Sequence, residues 1–288
     1  MNSESENDIR ASTPLMEAVL LDNEQESLQW TKELLEAGED PNQLDPAIQR
    51  TPLFAAWWND RTDLIKLLLN FGGTGNVDVG SFDEVMIGSA SIQNSILLCE
   101  AGFRFDSGLT KNQLGEIMCE SYTNPLEYFL EYELWDHIKA FGPYGLLNLI
   151  HAYDGMLGMQ PLACMARDGL VKQAKWLIDH GADVNAHCEG MIGSTALDCA
   201  VGEKRLDMIK LLLNEGANPN IPTWMWISAT DRVSRYGPAK VKGHHDATKD
   251  SDLVEIKGLV LDACKKFPPP FRPDGSKASP WPPEYKAK

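Results

Sequence analysis

The run most suggestive of metal binding is His244, His245 and Asp246, which stand next to one another in a polar segment. Imidazole and carboxylate groups are common zinc ligands, and a structural zinc site normally needs four of them. Three adjacent side chains do not converge easily on one ion, and no second group of ligands accompanies them. The sequence therefore predicts no metal site and no cofactor.

Nucleophilic chemistry has one candidate, the run His187, Cys188 and Glu189. A thiol beside an imidazole can act as a nucleophile when folding fixes their geometry. This run lies in a turn that is expected to be an exposed linker, and the chain has no glycine-rich phosphate loop, no GxSxG and no HExxH motif. No catalytic or cofactor-binding residues are predicted, and the chain is expected not to be an enzyme.

The dominant pattern of the chain is a recurring repeat that begins with a Thr-Pro-Leu-like motif. Each repeat continues into an apolar run with helical spacing, closes on glycine and passes into a turn. The closing glycines lie 34 residues apart in the first pair of repeats and 35 apart in the second. The motif and the later run of each repeat are TPLMEAV and TKELLEAGEDPNQ (13–19, 31–43), TPLFAAW and DLIKLLLNFGG (51–57, 63–73), QPLACMA and LVKQAKWLIDHGADVNA (160–166, 170–186), and TALDCAV and LDMIKLLLNEGANPN (195–201, 206–220).

Each repeat is predicted to be a pair of short antiparallel helices. A threonine can cap the first helix by accepting a backbone N–H bond, and proline fits the first helical position because its missing N–H costs nothing there. A glycine in the left-handed conformation can end the second helix. The residues in these roles are Thr13, Thr51 and Thr195, then Pro14, Pro52 and Pro161, then Gly38, Gly72, Gly181 and Gly216, followed in the turns by Asn42, Asn185 and Asn220.

These motifs resemble the ankyrin repeat family. The segments GADVNA, STALDCA and LDMIKLLLNEGANPN carry the resemblance, which is clear near 13–78 and 156–220. The resemblance implies an all-α solenoid of helix-turn-helix repeats. The histidine that the family usually places after Thr-Pro-Leu is absent, so the hydrogen-bond network it supports must be missing or replaced. In its place stand Met16, Phe54, Ala163 and Asp198.

The middle of the chain, 79–155, is interpreted as two degenerate repeats with helices that end at Gly102 and Gly142. Neighbouring repeats must cover each other's apolar faces, which favours one continuous array of about six repeats over residues 1–220. The segment 221–288 is predicted to cap the array with a helix at 252–266 and to continue as an extended Pro-rich tail, because consecutive prolines suit neither a helix nor a central strand.

The net charge of −16 is unevenly distributed: residues 1–48 carry −10, residues 83–136 carry −8, and residues 221–288 carry +4. An acidic surface repels phosphate backbones, so nucleic-acid binding is not expected. Two roles remain open for the acidic charge. It can keep the protein soluble, or it can steer a basic partner protein.

Neither a membrane span nor a secretory signal is expected. No stretch approaches about 18 consecutive apolar residues, and the start, MNSESENDIRASTP, lacks a basic region followed by an apolar core. Six cysteines are scattered without a CxxC pair. Reduced thiols and a cytoplasmic location are therefore predicted.

Partner-binding residues are predicted at the variable positions of the first helices. Trp57 and Trp58 point about 100° apart on a helix, so both cannot face one core. In the family pattern Trp57 is packed, and Trp58 lies beside the groove, where it either anchors a partner or is covered by the next repeat. The predicted set is Trp58, Asn59, Arg167, Asp168 and Glu203; binding by Trp224, Trp226 and Trp281 competes with packing of the tail on the last repeat.

The resemblance implies non-catalytic protein binding through the groove formed by the first helices and the turns. Two alternatives stay open, because the scaffold does not specify its ligand. One is a bacterial immunity-type protein that neutralises a basic toxin. The other is a regulator associated with an enzyme, with a pocket formed by the C-terminal segment around His244 and His245.

Overall fold

The computed structural model describes residues 12–74, 91–119, 124–188, 193–223, 227–234 and 250–267. The chain forms two compact units. The first unit consists of Met1–Ser107 and Lys139–Gly145, and the second of Gly108–Ile138 and Leu146–Lys288. In the described ranges, no helix combines the length and the apolar character that a membrane crossing requires.

The first unit is built from paired helices. Its first helices, α1 and α3, pack side by side, as do the second helices α2 and α4, and α5 packs on α3 and α4. Fully buried aliphatic side chains such as Leu53, Ile65 and Leu68 fill the space between them. The helices are α1 (Pro14–Val19), α2 (Glu24–Glu36), α3 (Pro52–Trp58), α4 (Thr62–Asn70) and α5 (Ile92–Glu100).

The second unit repeats this arrangement after a short hairpin. The first helices α6, α8, α10 and α12 pack in succession, and the second helices α9, α11 and α13 do the same. The elements are β1 (Leu109–Lys111), β2 (Ile117–Cys119), α6 (Pro125–Glu131), α7 (Trp135–Phe141, whose last three residues belong to the first unit), α8 (Pro161–Asp168), α9 (Val171–Asp179), α10 (Ala196–Gly202), α11 (Leu206–Asn214), α12 (Ala229–Ser234) and α13 (Asp250–Cys264).

The predicted helix starts and stops are confirmed. Each capping threonine accepts a bond from the amide three residues later: Met16 N at 3.3 Å, Phe54 N at 3.2 Å and Asp198 N at 3.1 Å. The four closing glycines have φ between +89° and +99°. These contacts are local in sequence, which is why the pattern of residues predicts them.

The asparagines of the turns have a role that the sequence did not reveal. The Asn42 side chain donates to Gly72 O at 2.9 Å and accepts from Thr74 N at 2.8 Å. Asn185 does the same with Gly216 O and Asn218 N, at 3.4 and 2.7 Å. Each amide therefore ties the turn of one repeat to the turn of the next.

The middle of the chain departs from the prediction of helical repeats. A hairpin pairs β1 with β2, and Cys119 N donates to Tyr153 O at 2.8 Å. The hairpin turn forms because Asn112 Oδ1 accepts two amide bonds and Gly115 takes a φ of +81°. The helix pair predicted at 124–142 is present as α6 and α7. However, Gly142 begins a 3-10 helix, and the left-handed glycine after it is Gly145.

The predicted C-terminal helix is observed as α13. It buries Ile256 and Val260 completely and packs against α11 and α12. With α12 packed on α10, the last two helices continue the stacking of the preceding repeats. The Pro-rich tail lies outside the described residues, and the division into an array of 1–220 and a segment of 221–288 stays a prediction.

Gly181 and Gly258 allow a matched test of the left-handed helix end. Added Cβ atoms would meet nothing within 4 Å at either position, but Gly181 has a φ of +95° and Gly258 lies inside α13. We expect Gly181→Ala to lower the free energy of unfolding by about 1 kcal/mol and Gly258→Ala to raise it by up to about 1 kcal/mol. Urea denaturation measures both, and a shift of the same sign for the two variants would contradict the assignment.

Candidate binding surfaces of the two units

The adjacent tryptophans of α3 face different surroundings. Trp57 is 4% exposed, and its Nε1 donates to Ser95 Oγ on α5 at 3.0 Å. Trp58 is 37% exposed and stacks on Phe54 with 5.9 Å between the ring centroids. In the first unit Trp57 therefore belongs to the core, and Trp58 presents an aromatic face to solvent.

Trp58 borders a groove of about 280 Å³ in the first unit. Leu20 and Ile48 reach the same groove and are 42% and 45% exposed. Asn59 also lines it, but its side-chain amide donates to Ala55 O at 2.8 Å at the end of α3. Apolar side chains that stay this accessible around a concavity are the kind of surface that takes a partner side chain. The groove is lined by Leu20, Ile48, Arg50, Phe54, Ala55, Trp58 and Asn59.

A buried carboxylate, Asp45, holds the turn that carries Ile48. Its Oδ1 accepts from Ala47 N and Ile48 N, both at 2.9 Å, and its Oδ2 accepts from Ser12 Oγ at 2.6 Å and Thr13 N at 2.7 Å. Burial alone would raise the pKa of Asp45, but these bonds outweigh it and lower the pKa below its ordinary value. Asp45 therefore positions one wall of the groove.

Asp45 has a counterpart in the second unit. Asp154 precedes the N-cap Gln160 by six residues, as Asp45 precedes Thr51, and it accepts from the backbone amides of Met156, Gly158 and Met159 at 2.8, 3.3 and 2.9 Å. The sequence reasoning missed both carboxylates. Their shared distance from the helix cap is the signal that would have indicated them.

The acidic charge of the chain is concentrated in the first unit. Its residues include nineteen Asp or Glu and seven Lys or Arg, a balance of −12, whereas the second unit has a balance of −4. The unit that contains the apolar groove is therefore the one with the strongest negative field.

The predicted site residues of the second unit lie at the ends of α8 and α10. Arg167 and Asp168 pair with each other through two bonds of 2.9 and 3.1 Å, so the two charges largely cancel. The carbonyl of Arg167 accepts from Arg205 Nε at 3.2 Å, and exposed Glu203 follows the end of α10. Whether these three residues bind a partner stays a prediction.

An ion pair between buried Asp198 and half-buried Arg232 replaces the missing histidine at one repeat. Asp198 is 1% exposed and accepts from Arg232 Nη2 at 3.0 Å and Thr223 Oγ1 at 3.1 Å. The equivalent positions Met16, Phe54 and Ala163 are buried without a charge. The network is therefore replaced at Asp198 by partners 25 and 34 residues away in sequence.

Burial disfavours the nucleophilic thiolate form of two repeat cysteines. It raises the pKa of the Cys164 thiol far above its ordinary value and that of Cys199 to about 12. Cys188 was expected in an exposed linker, which is wrong: it is 2% exposed and its Sγ donates to Glu116 Oε2 at 3.3 Å.

No group of three potential metal ligands occurs among the described residues. His244, His245 and Asp246, together with Glu189 and the tryptophans at 224, 226 and 281, lie outside the described ranges.

Residues 137–223 match the family model described as ankyrin repeats (3 copies). Among solved structures, the ankyrin repeat domain of Bcl-3, described as a unique member of the IkappaB protein family, aligns with a TM-score of 0.52 at 19% identity, covering 85% of this chain and 97% of that chain. No curated protein sequence is significantly similar. The ankyrin repeats are confirmed within residues 137–223, and the predicted helical repeat fold is confirmed by the structural similarity.

Proposed function

We propose that this ankyrin-repeat chain is a non-catalytic protein-binding scaffold whose first unit takes a partner side chain into the groove beside Trp58. The observation that carries the proposal is the set of accessible apolar side chains, Trp58, Leu20 and Ile48, around one concavity. Asp45 fixes the turn of Ile48 before any partner arrives. A pre-organised apolar anchor lowers the entropic cost of association.

A basic partner is the class that the charge of the first unit favours. A balance of −12 attracts Lys and Arg side chains and repels acidic proteins. Charge of this kind acts mainly on the rate of encounter, whereas a desolvated aromatic anchor acts on the rate of dissociation. The two contributions can therefore be measured separately.

The same charge supports a narrower version of this proposal, an immunity-type protein that neutralises a basic toxin.

The packing of α13 on α11 and α12 favours a capping role for the C-terminal segment over the pocket required by the enzyme-regulator alternative. A cytoplasmic location stays part of the proposal. Identification of the captured partner by mass spectrometry distinguishes these versions.

We expect Trp58→Ala to lose the partner and Phe71→Ala to keep it. Phe71 is a matched control because it is an aromatic residue of the same unit with 39% exposure, and it does not line the groove. Proteins that the parent and Phe71→Ala both retain from a cell extract, and that Trp58→Ala does not, are the specific partners. Identical retention by all three proteins would remove Trp58 from the site.

Kinetic measurements with the captured partner complete the test. We expect Trp58→Ala to speed dissociation by about tenfold, which corresponds to about 1.4 kcal/mol. Raising the salt concentration should slow association, because exposed charges act over about 8 Å at physiological ionic strength. Association that does not respond to salt would contradict the electrostatic part of the proposal.

A further inference from the structure

Glu127 is a half-buried residue with one carboxyl oxygen that is buried and lacks a partner. It lies on α6, three residues after the N-cap Asn124, and its Oε1 atom is buried with no hydrogen-bond partner in the described ranges. An ionised carboxylate that is removed from water in this way is strongly disfavoured unless a cation or several donors compensate.

The equivalent position on α10 has a cationic partner that Glu127 lacks among the described residues. Asp198 is likewise three residues after its N-cap, Thr195, and Arg232 on α12 pairs with it. Arg232 is the fourth residue after Ser228, whose hydroxyl accepts from Asp231 N at 3.1 Å at the start of α12. The fourth residue after the N-cap of α8 is Cys164, which is buried. A thiol therefore occupies the place of the cation between α6 and α8.

The surroundings of Glu127 favour its protonated form. Burial is the largest influence on the pKa of Glu127, Asp154 and Asp168 act in the same direction, and the net pKa is raised to about 8. A hydrogen bond from Cys164 and the charge of Arg167 lower the pKa, but Arg167 is already paired with Asp168. The other titratable groups on packed elements are Cys119 on β2, exposed His151 on the 3-10 helix 146–151, and His137 on α7.

We propose that the contact between α6 and α8 is a proton-controlled switch, closed while Glu127 is protonated and loosened when Glu127 ionises. The closed state binds the proton more tightly than an open state, in which the carboxyl regains its ordinary pKa of 4.5. The protonated carboxyl therefore stabilises the closed state fully below pH 4.5, and this stabilisation is lost as the pH rises towards about 8. Within that window the opening equilibrium rises about tenfold per pH unit.

Amide hydrogen exchange of α6 in the full-length free protein tests the switch. After correction for intrinsic exchange, we expect opening to rise about tenfold per pH unit between about pH 6 and pH 7 in the parent. Glu127→Gln keeps the shape of the side chain without a titrating proton, so its opening should not change with pH. Glu131→Gln is the matched control, because Glu131 is exposed on the same helix, and it should keep the slope of the parent.

The proposal is overturned if Glu127→Gln shows the same pH slope as the parent. A carboxyl 13C NMR titration of the parent protein gives an answer that needs no variant. A midpoint near 8 for Glu127 supports the switch, and a midpoint near 4.5 overturns it. Both measurements use the protein without a partner, so they do not depend on the proposed binding function.

Discussion

Replacing Arg232 with methionine should lower the free energy of unfolding of the second unit by about 2–3 kcal/mol. Asp198 would keep its charge in a site that is 1% exposed, with the Thr223 hydroxyl as its remaining side-chain donor. Removing the cation leaves a buried carboxylate uncompensated, but the Arg232 side chain is 38% exposed, so water can replace part of the lost interaction. Urea denaturation at pH 7 measures the loss.

An exposed ion pair of the same unit provides the control. Lys210 Nζ lies 2.7 Å from Glu255 Oε1, with both side chains over 40% exposed. We expect Lys210→Met to cost less than about 1 kcal/mol, because water replaces the lost partner. Adding Asp198→Asn to Arg232→Met should restore part of the stability by removing the buried charge. Equal losses for Arg232→Met and Lys210→Met would refute the role of the pair between Arg232 and Asp198.

Asp45→Ala should destabilise the first unit by about 3 kcal/mol. The substitution removes the acceptor of four hydrogen bonds, from Ser12, Thr13, Ala47 and Ile48, at a position that is 0% exposed. It also releases the turn that carries Ile48, so partner binding at the groove should weaken as well. Asp40→Ala is the control, since exposed Asp40 accepts one bond, from Asn42 N at 2.9 Å.

The lowered pKa of Asp45 predicts that the stability of the protein depends on pH in the acid range. The pKa of Asp45 is lowered below 3.8 in the folded protein, so its stabilisation is present above 3.8 and is lost as the pH falls through the lowered pKa. We therefore expect the parent to lose stability in this acid range more steeply than Asp45→Ala. Denaturation midpoints followed from neutral pH down to about pH 3 measure the difference, and parallel curves would refute it.

Local features of the repeats could be predicted from the sequence alone. Thr51 caps a helix whose first residue is Pro52, and Gly72 ends the second helix of the same repeat. Caps and helix ends depend on residues within a few positions of one another, so residue type and spacing are sufficient evidence. The recurrence of these features then predicted paired helices and the ankyrin resemblance.

The exposure of individual side chains required the tertiary structure. Helical periodicity places Trp57 and Trp58 on different faces of the helix. However, the hydroxyl that accepts from the Trp57 indole belongs to Ser95, 38 residues away. The variable repeat positions of Arg167 and Asp168 made both candidates for binding, yet folding pairs them with each other. A variable surface position therefore becomes a binding candidate only when its neighbours in space leave it accessible.

Three carboxyl groups show most clearly what the sequence predicts and what only the tertiary structure decides. Asp45, Glu127 and Asp198 are three acids in a sequence that has 42, and their distances from helix caps do not indicate which partner each one gains. Asp45 has two partners in the adjacent repeat, 32 and 33 residues away, and Asp198 has partners 25 and 34 residues away. The sequence by itself determined the repeat, because helix caps and apolar periodicity are local. Only the stacking of one repeat on the next decided which partners each acid gained. Asp198 gained a cation, Asp45 gained a set of backbone amides, and Glu127 gained a thiol.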